Sequence, residues 1–172
     1  MRGLLLLLAL LLTASAYADS SARDRTIDYL ALYYAAQAGN EVLAEALLDR
    51  GAPVDAPDVD SAGKLSFMAA DMNSPLQVAA ENGNLSIVRL LLKHRPWVDH
   101  RCCTSPAALG LAAAAGHAEI VDMLLKAGAD PSIKSEYGEA GLFETPLDAA
   151  RRKGHIAVVR ALEAALAVKA GH

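Results

Sequence analysis

Aromatic side chains make up only 5% of this 172-residue chain, with two phenylalanines and a single tryptophan. The apolar fraction is nevertheless 53%, much of it alanine. A core short of rings and rich in alanine suits closely packed helices better than a sheet sandwich. Cysteine is nearly absent too: the only two, Cys102 and Cys103, are neighbours, so no paired CxxC motifs can be written. GxSxG, HExxH and phosphate-cradling glycine loops are missing, and no convergent nucleophile, base and orienting group argues for catalysis. We therefore expect no enzyme activity and no cofactor. A basic excess is lacking as well. At a net charge of −4, and without any long run of like charge, the chain is not expected to take nucleic acid or an anionic membrane as its partner.

Long hydrophobic runs are also missing. The nine apolar residues Leu4–Leu12 fall short of the roughly 20 that a transmembrane helix needs. They read instead as the h-region of a signal peptide over residues 1–18, with Arg2 in the n-region and small residues at Ala16 and Ala18. Cleavage is expected after Ala18, with Ala16 as the alternative. No cysteine follows, so lipid attachment there is excluded. The mature chain would begin with a flexible stretch over 19–25 and carry a net charge of −5, without stable membrane insertion. Its expected location is the periplasm, an oxidising compartment.

What is present is a repeat. "SPLQVAAENGNLSIVRLLLKHRPWVD" from Ser74 and "AALGLAAAAGHAEIVDMLLKAGADPS" from Ala107 align without a gap at an offset of 33 residues. Ala79 and Ala80 fall on Ala112 and Ala113, Gly83 on Gly116, Ile87 and Val88 on Ile120 and Val121. The same frame fits the segments from Ala31 and from Thr145, giving four units. In each, a short apolar helix is expected to end at a glycine (Gly39, Gly83, Gly116, Gly154), the residue that tolerates the left-handed conformation. A second helix follows with a one-sided apolar stripe, such as Ile120, Val121, Leu124 and Leu125. One unit cannot bury its stripe alone, so the units must stack.

The recurring TPL…AA…G, then IVxxLLxxGAD, resembles the ankyrin repeat family, most closely at "GHAEIVDMLLKAGAD" from Gly116. The resemblance covers residues 26–170 and implies an all-α solenoid of about four helix-turn-helix units joined by hairpin-like fingers. The units run over about 26–58, 74–106, 107–139 and 145–170. Glycine spacings of 44 and 38 residues, against the standard 33, place insertions within 56–74 and 132–145. Departures from the family pattern are equally informative. Its TPLH histidine becomes Tyr33, Gln77, Gly110 and Asp148, which puts the hydrogen bond it makes toward the connecting loop in doubt in every unit. Ala107 and Ala108 replace Thr-Pro, and Arg95, Pro96 and Trp97 replace Gly-Ala-Asp. The resemblance implies a non-catalytic protein–protein interaction module, with another protein as partner.

Candidate contact residues come from three places. The insertions hold Phe67, Met68 and Met72 on one side and Tyr137, Leu142 and Phe143 on the other, either folded back on the stack or serving as anchors for a partner. The two positions before each glycine include Glu81, Asn82, Arg152 and Lys153; in the resembled family these positions and the finger tips form a concave gripping surface. The third place is "HRPWVDHRCC" at 94–103, with Trp97, His100 and Arg101. Its ligand-type residues fall on opposite sides of a turn and do not suit a tetrahedral metal site. A disulfide between Cys102 and Cys103 would be strained, because consecutive Cα atoms lie about 3.8 Å apart. His117 and His155 are expected to pack and bond loops, and Asp58, Asp60, Asp71, Glu136, Glu139 and Glu144 to be solvated loop residues. As an exported binder, the chain would fit an immunity protein neutralising a periplasmic toxin, or an accessory factor for a periplasmic or membrane enzyme such as one in peroxide defence. A thiol-redox or metal-binding protein and a self-assembling spacer are the rivals from other classes.

Overall fold

The computed structural model describes residues 25–55, 73–101, 105–137 and 142–170. Among them are eight helices in four pairs: α1 (Arg25–Ala38) with α2 (Glu41–Asp49), α3 (Pro75–Glu81) with α4 (Leu85–Lys93), α5 (Ala108–Ala115) with α6 (Ala118–Lys126), and α7 (Pro146–Lys153) with α8 (Ile156–Ala170). The first helices α1, α3, α5 and α7 pack side by side in chain order, and the second helices form a parallel row. The expected all-α solenoid is therefore observed, with one addition. The 132–145 finger contains true strands, β1 (Ser135–Tyr137) and β2 (Leu142–Glu144), paired antiparallel with Glu136 opposite Phe143.

Alanine sets how closely the first helices approach. Ala35, Ala36, Ala79, Ala80, Ala112, Ala113, Ala149 and Ala150 are all fully buried, so neighbouring backbones come together with no side chain to separate them. The second helices supply the bulk: Leu47 and Leu48, then Ile87, Val88 and Leu91, then Ile120, Val121 and Leu124, then Val158 and Leu162. Each such branched side chain contributes about 1.5–3 kcal/mol on leaving water. Truncating one of the central ones, as in Leu124→Ala, costs about 2–5 kcal/mol once the cavity is counted.

Helix starts differ from unit to unit in a way the sequence explains. Ser74 and Thr145 each precede a proline and close a capping box, with Gln77 and Asp148 answering from the third helical position. Ala107 has no side-chain oxygen, and α5 starts without a side-chain cap. The doubt over the TPLH histidine is resolved by these same residues. Gln77 Nε2 donates to the carbonyl of Pro106, at the boundary just before α5, at 2.8 Å, while its Oε1 accepts from Ser74 N at 2.7 Å. Asp148 accepts from the Thr145 hydroxyl at 2.7 Å, a bond that holds its carboxyl below the usual range. The polar link toward the connecting loop is thus kept by Gln77 in unit two, whereas among the described residues Asp148 bonds only Thr145 of its own cap and Gly110 has no side chain to supply it.

The last unit ends differently from the others. Gly51 and Gly128 turn the chain out of α2 and α6 with φ values of 86° and 94°, but α8 runs on for 15 residues. Its extra turns carry Lys169 back over the third unit, where Nζ meets Asp130 Oδ1 at 2.6 Å and Ser132 Oγ at 3.0 Å. A cation at a helix C-terminus is also favoured by the helix dipole.

Candidate functional site

The turns between helices are locked by a ladder of contacts between successive units. Asn84 Nδ2 donates to Ala36 O at 2.7 Å, and the His117 and His155 Nε2 atoms lie 3.1 Å from the carbonyls of Glu81 and Ala114. Both imidazoles rest on a glycine of the preceding unit. A Cβ built on Gly83 would sit 2.6 Å from the His117 ring, and one on Gly116 would sit 2.7 Å from that of His155. Gly83 and Gly116 thus serve two needs, a left-handed turn and room for a ring. The packing and loop-bonding role expected of these histidines is what the geometry displays.

A second ladder runs along the loops that follow the second helices. Trp97 N donates to both oxygens of Asp55, at 3.1 and 3.0 Å, and Asp130 N donates to Asp99 Oδ1 at 3.1 Å. Asp130 in turn accepts from Ser132 and Lys169. The Lys169 bond, ahead of those from Ser132, holds its carboxyl down at about 2. Carboxylates in this row are therefore bound to backbone or to Lys169. The anchoring aspartates were not among the sequence candidates, although the recurrence of Val-Asp at 54–55 and 98–99, at the 44-residue spacing, was a signal for them.

"HRPWVDHRCC" is taken apart by this arrangement. His94 caps the end of α4. Arg95 adopts φ 53°, the only left-handed non-glycine among the described residues, at the place where the flanking units have Gly51 and Gly128. Pro96 is buried, and Trp97 is 66% exposed. The His100 ring stands edge-on to the indole at 5.4 Å between centroids. Arg101 reaches the next unit, donating from Nη1 to Lys134 O at 3.2 Å. Trp97, His100 and Arg101 are thus brought together, on a loop fixed at both ends to its neighbours.

The remaining candidates divide. Glu81, Asn82, Arg152 and Lys153 are all exposed at the ends of α3 and α7. Asn82 Nδ2 also donates to Gln37 O at 3.3 Å. Arg152 and Glu144 are joined by a forked ion pair of 3.0 to 3.1 Å. This corrects the expectation for Glu144, whose half-buried carboxylate is pinned to α7 rather than free in solvent. Alternation along β2 then sends Phe143 to the other side, where it is 68% exposed rather than folded back. Tyr33, partly buried, has its hydroxyl pushed up by desolvation, then by Tyr34 and Glu81. Phe67, Met68, Met72, Cys102 and Cys103 lie outside the described residues, as do Asp58, Asp60, Asp71, Glu139 and the side chains of Tyr137, Leu142 and Glu136. Among the described residues, no three or more His, Cys, Asp and Glu side chains group so as to hold a metal ion, and no helix is long and apolar enough to cross a membrane.

A family model of three ankyrin repeats matches residues 32–135, more than half of the chain. Over 130 residues, 76% of its length, the chain is 33% identical to the B-cell lymphoma 3 protein homolog of Mus musculus and likewise to the B-cell lymphoma 3 protein of Homo sapiens. Those stretches are 26% and 25% of the two proteins, so the chain spans about a quarter of the length of the curated relatives it matches. The matched repeats coincide with the helix pairs whose glycine turns and stacked loops are described above, and on both grounds the chain belongs to the ankyrin repeat family.

Proposed function

We propose that this chain is an exported, non-catalytic module that binds another protein in the periplasm. The observation that carries the reading is the alignment of exposed side chains at equivalent places in the first, second and fourth units. Gln37 and Ala38, Glu81 and Asn82, Arg152 and Lys153 stand exposed at the ends of α1, α3 and α7, and the loops add Trp97 and Phe143. Ankyrin stacks act as protein–protein interaction modules. A preformed stack loses little conformational freedom on binding, which favours affinity. The order along the row, from neutral through acidic and then small, at Ala114 and Ala115, to basic, suits a patterned protein surface better than a uniform polyanion. A net charge of −4 also speaks against nucleic acid. Export rests on the leader-like composition of residues 1–18.

Two measurements test this reading. Intact mass of the chain recovered from cells should lack residues 1–18, and recovery of the uncleaved chain refutes export. Affinity capture from the cell envelope at physiological salt should return a stoichiometric protein partner, and an empty eluate refutes the interaction reading. A toxin in the eluate indicates an immunity role, and an envelope enzyme indicates an accessory one.

A further inference from the structure

We infer that the loop around Trp97 is a docking site for an acidic segment of the partner, a surface distinct from the row of first-helix ends. The inference rests on the proposal that the chain binds a protein, and it adds where and by what chemistry. Between Arg89 and Arg101 lie four cations and one carboxylate, a local charge of +3 in a chain of −4. The carboxylate, Asp99, is already held by Asp130 N. Arg89 and Lys93 are exposed one helical turn apart on α4, and Arg95 follows directly, also exposed. None of these three, nor Arg101, forms an ion pair with a carboxylate among the described residues.

The site is also held in place by contacts among the described residues. The backbone of Trp97 is clamped by the Asp55 carboxylate, and the His100 edge supports one side of the indole. Trp97 is 66% exposed, so the loop offers a large apolar ring that carries an N–H donor at its edge. Arg101 spends one guanidinium N–H on Lys134 O and keeps the rest of its fork for a carboxylate. Cations grouped around a fixed aromatic suit Asp or Glu side chains flanking an apolar residue. Nucleic acid is the poorer occupant, because the charge is confined to one face of α4 and the loop after it in an acidic chain.

Trp97 is the only tryptophan, so its fluorescence reports on this loop alone. The full chain is titrated with a tryptophan-free dodecapeptide of Asp and Glu around one Leu, with its Asn/Gln counterpart, and with a single-stranded dodecadeoxynucleotide. The acidic peptide should change the emission saturably, and the neutral peptide should bind at least ~10-fold more weakly. Exposed pairs are worth about 0.2–1 kcal/mol each, so Lys93→Gln with Arg95→Gly should weaken the acidic peptide about 2- to 30-fold. Arg95→Gly relieves a left-handed arginine, so loss of binding in that variant is not loss of fold. Equal binding of the two peptides, unchanged binding by the double variant, or tighter binding of the oligonucleotide overturns the inference. If envelope capture succeeds and the double variant retains the captured partner undiminished, the docking site is refuted while the interaction reading stands; an empty capture refutes the latter.

Discussion

Replacing Gly83 by alanine isolates the contact that ties one repeat to the next. Gly83 has φ 75°, and an L residue there costs about 1–2 kcal/mol. Part of this is offset, by about 0.4–1 kcal/mol, because alanine narrows the unfolded ensemble. The added Cβ would also lie 2.6 Å from His117 Cε1, so the ring must move and its 3.1 Å link to Glu81 O is lost. Losing that bond, which lies at the surface, adds about 0.5–1.5 kcal/mol. Gly128 is the control: its φ of 94° is equally left-handed, but nothing stands within 4 Å of its Cβ. Urea unfolding followed by far-ultraviolet circular dichroism should therefore place Gly83→Ala about 2 kcal/mol below the parent, and Gly128→Ala only ~1 kcal/mol below. His117→Ala should cost less in the Gly83→Ala background than alone, because the clash it removes exists only there. If Gly83→Ala is no worse than Gly128→Ala, or the two substitutions are additive, the ring-on-glycine contact does not hold the units together.

Arg95→Gly should raise stability by ~1 kcal/mol, about 2–4 °C in Tm, since it removes the only left-handed non-glycine of the described residues; calorimetry showing a lower Tm would refute this. Gln77→Leu keeps the volume but strips Ser74 N and Pro106 O of buried partners, and chemical denaturation should report a loss of about 2–3 kcal/mol. A loss below 0.5 kcal/mol would mean the amide is not the link to the third unit. Asp130, held at about 2 chiefly by Lys169, lies below its ordinary 3.8, so its contribution is complete above about pH 4 and disappears as pH falls toward 2. The exposed pair is worth about 0.2–1 kcal/mol. The stability gap between the parent and Lys169→Met should accordingly close between pH 5 and pH 2, and a gap independent of pH would contradict the assignment.

The repeat and its turns were legible because they depend on chemistry local to each unit. A left-handed turn selects glycine, and a one-sided stripe at helical spacing selects Ile87, Val88 and Leu91. Contacts between units were legible only where a side chain signals its own purpose. His117 and His155 did so through their place before a helix. Asp55 and Asp99 did not, because their partners are the backbone N–H groups of Trp97 and Asp130, and a main-chain donor leaves no trace in composition. The ion pair between Glu144 and Arg152 was invisible for a related reason: the two are eight residues apart on a strand and a helix, so only the turn at Thr145 brings them together. That pair also fixes which side of β2 meets the stack, and hence that Phe143 faces outward.

The departures from the repeat carry more functional information than the matches. In the third unit the loop after the second helix reads Gly128-Ala129-Asp130, with the glycine in the left-handed turn and Ala129 buried. In the second unit the same loop accepts an arginine in that conformation, at a cost of about 1–2 kcal/mol, and exposes an indole where the third unit has Asp130 held by Ser132 and Lys169. Neither change improves packing, since Pro96 alone fills the buried position of Ala129. Strain and exposed apolar area at one place, with the backbone clamped by Asp55 on one side and Arg101 reaching Lys134 on the other, are features that stability does not require. Such a combination is expected where a surface is kept for contact with another molecule. On the docking proposal above, the regular units act as the rigid mount and the loop carrying Arg95 and Trp97 as the part that recognises.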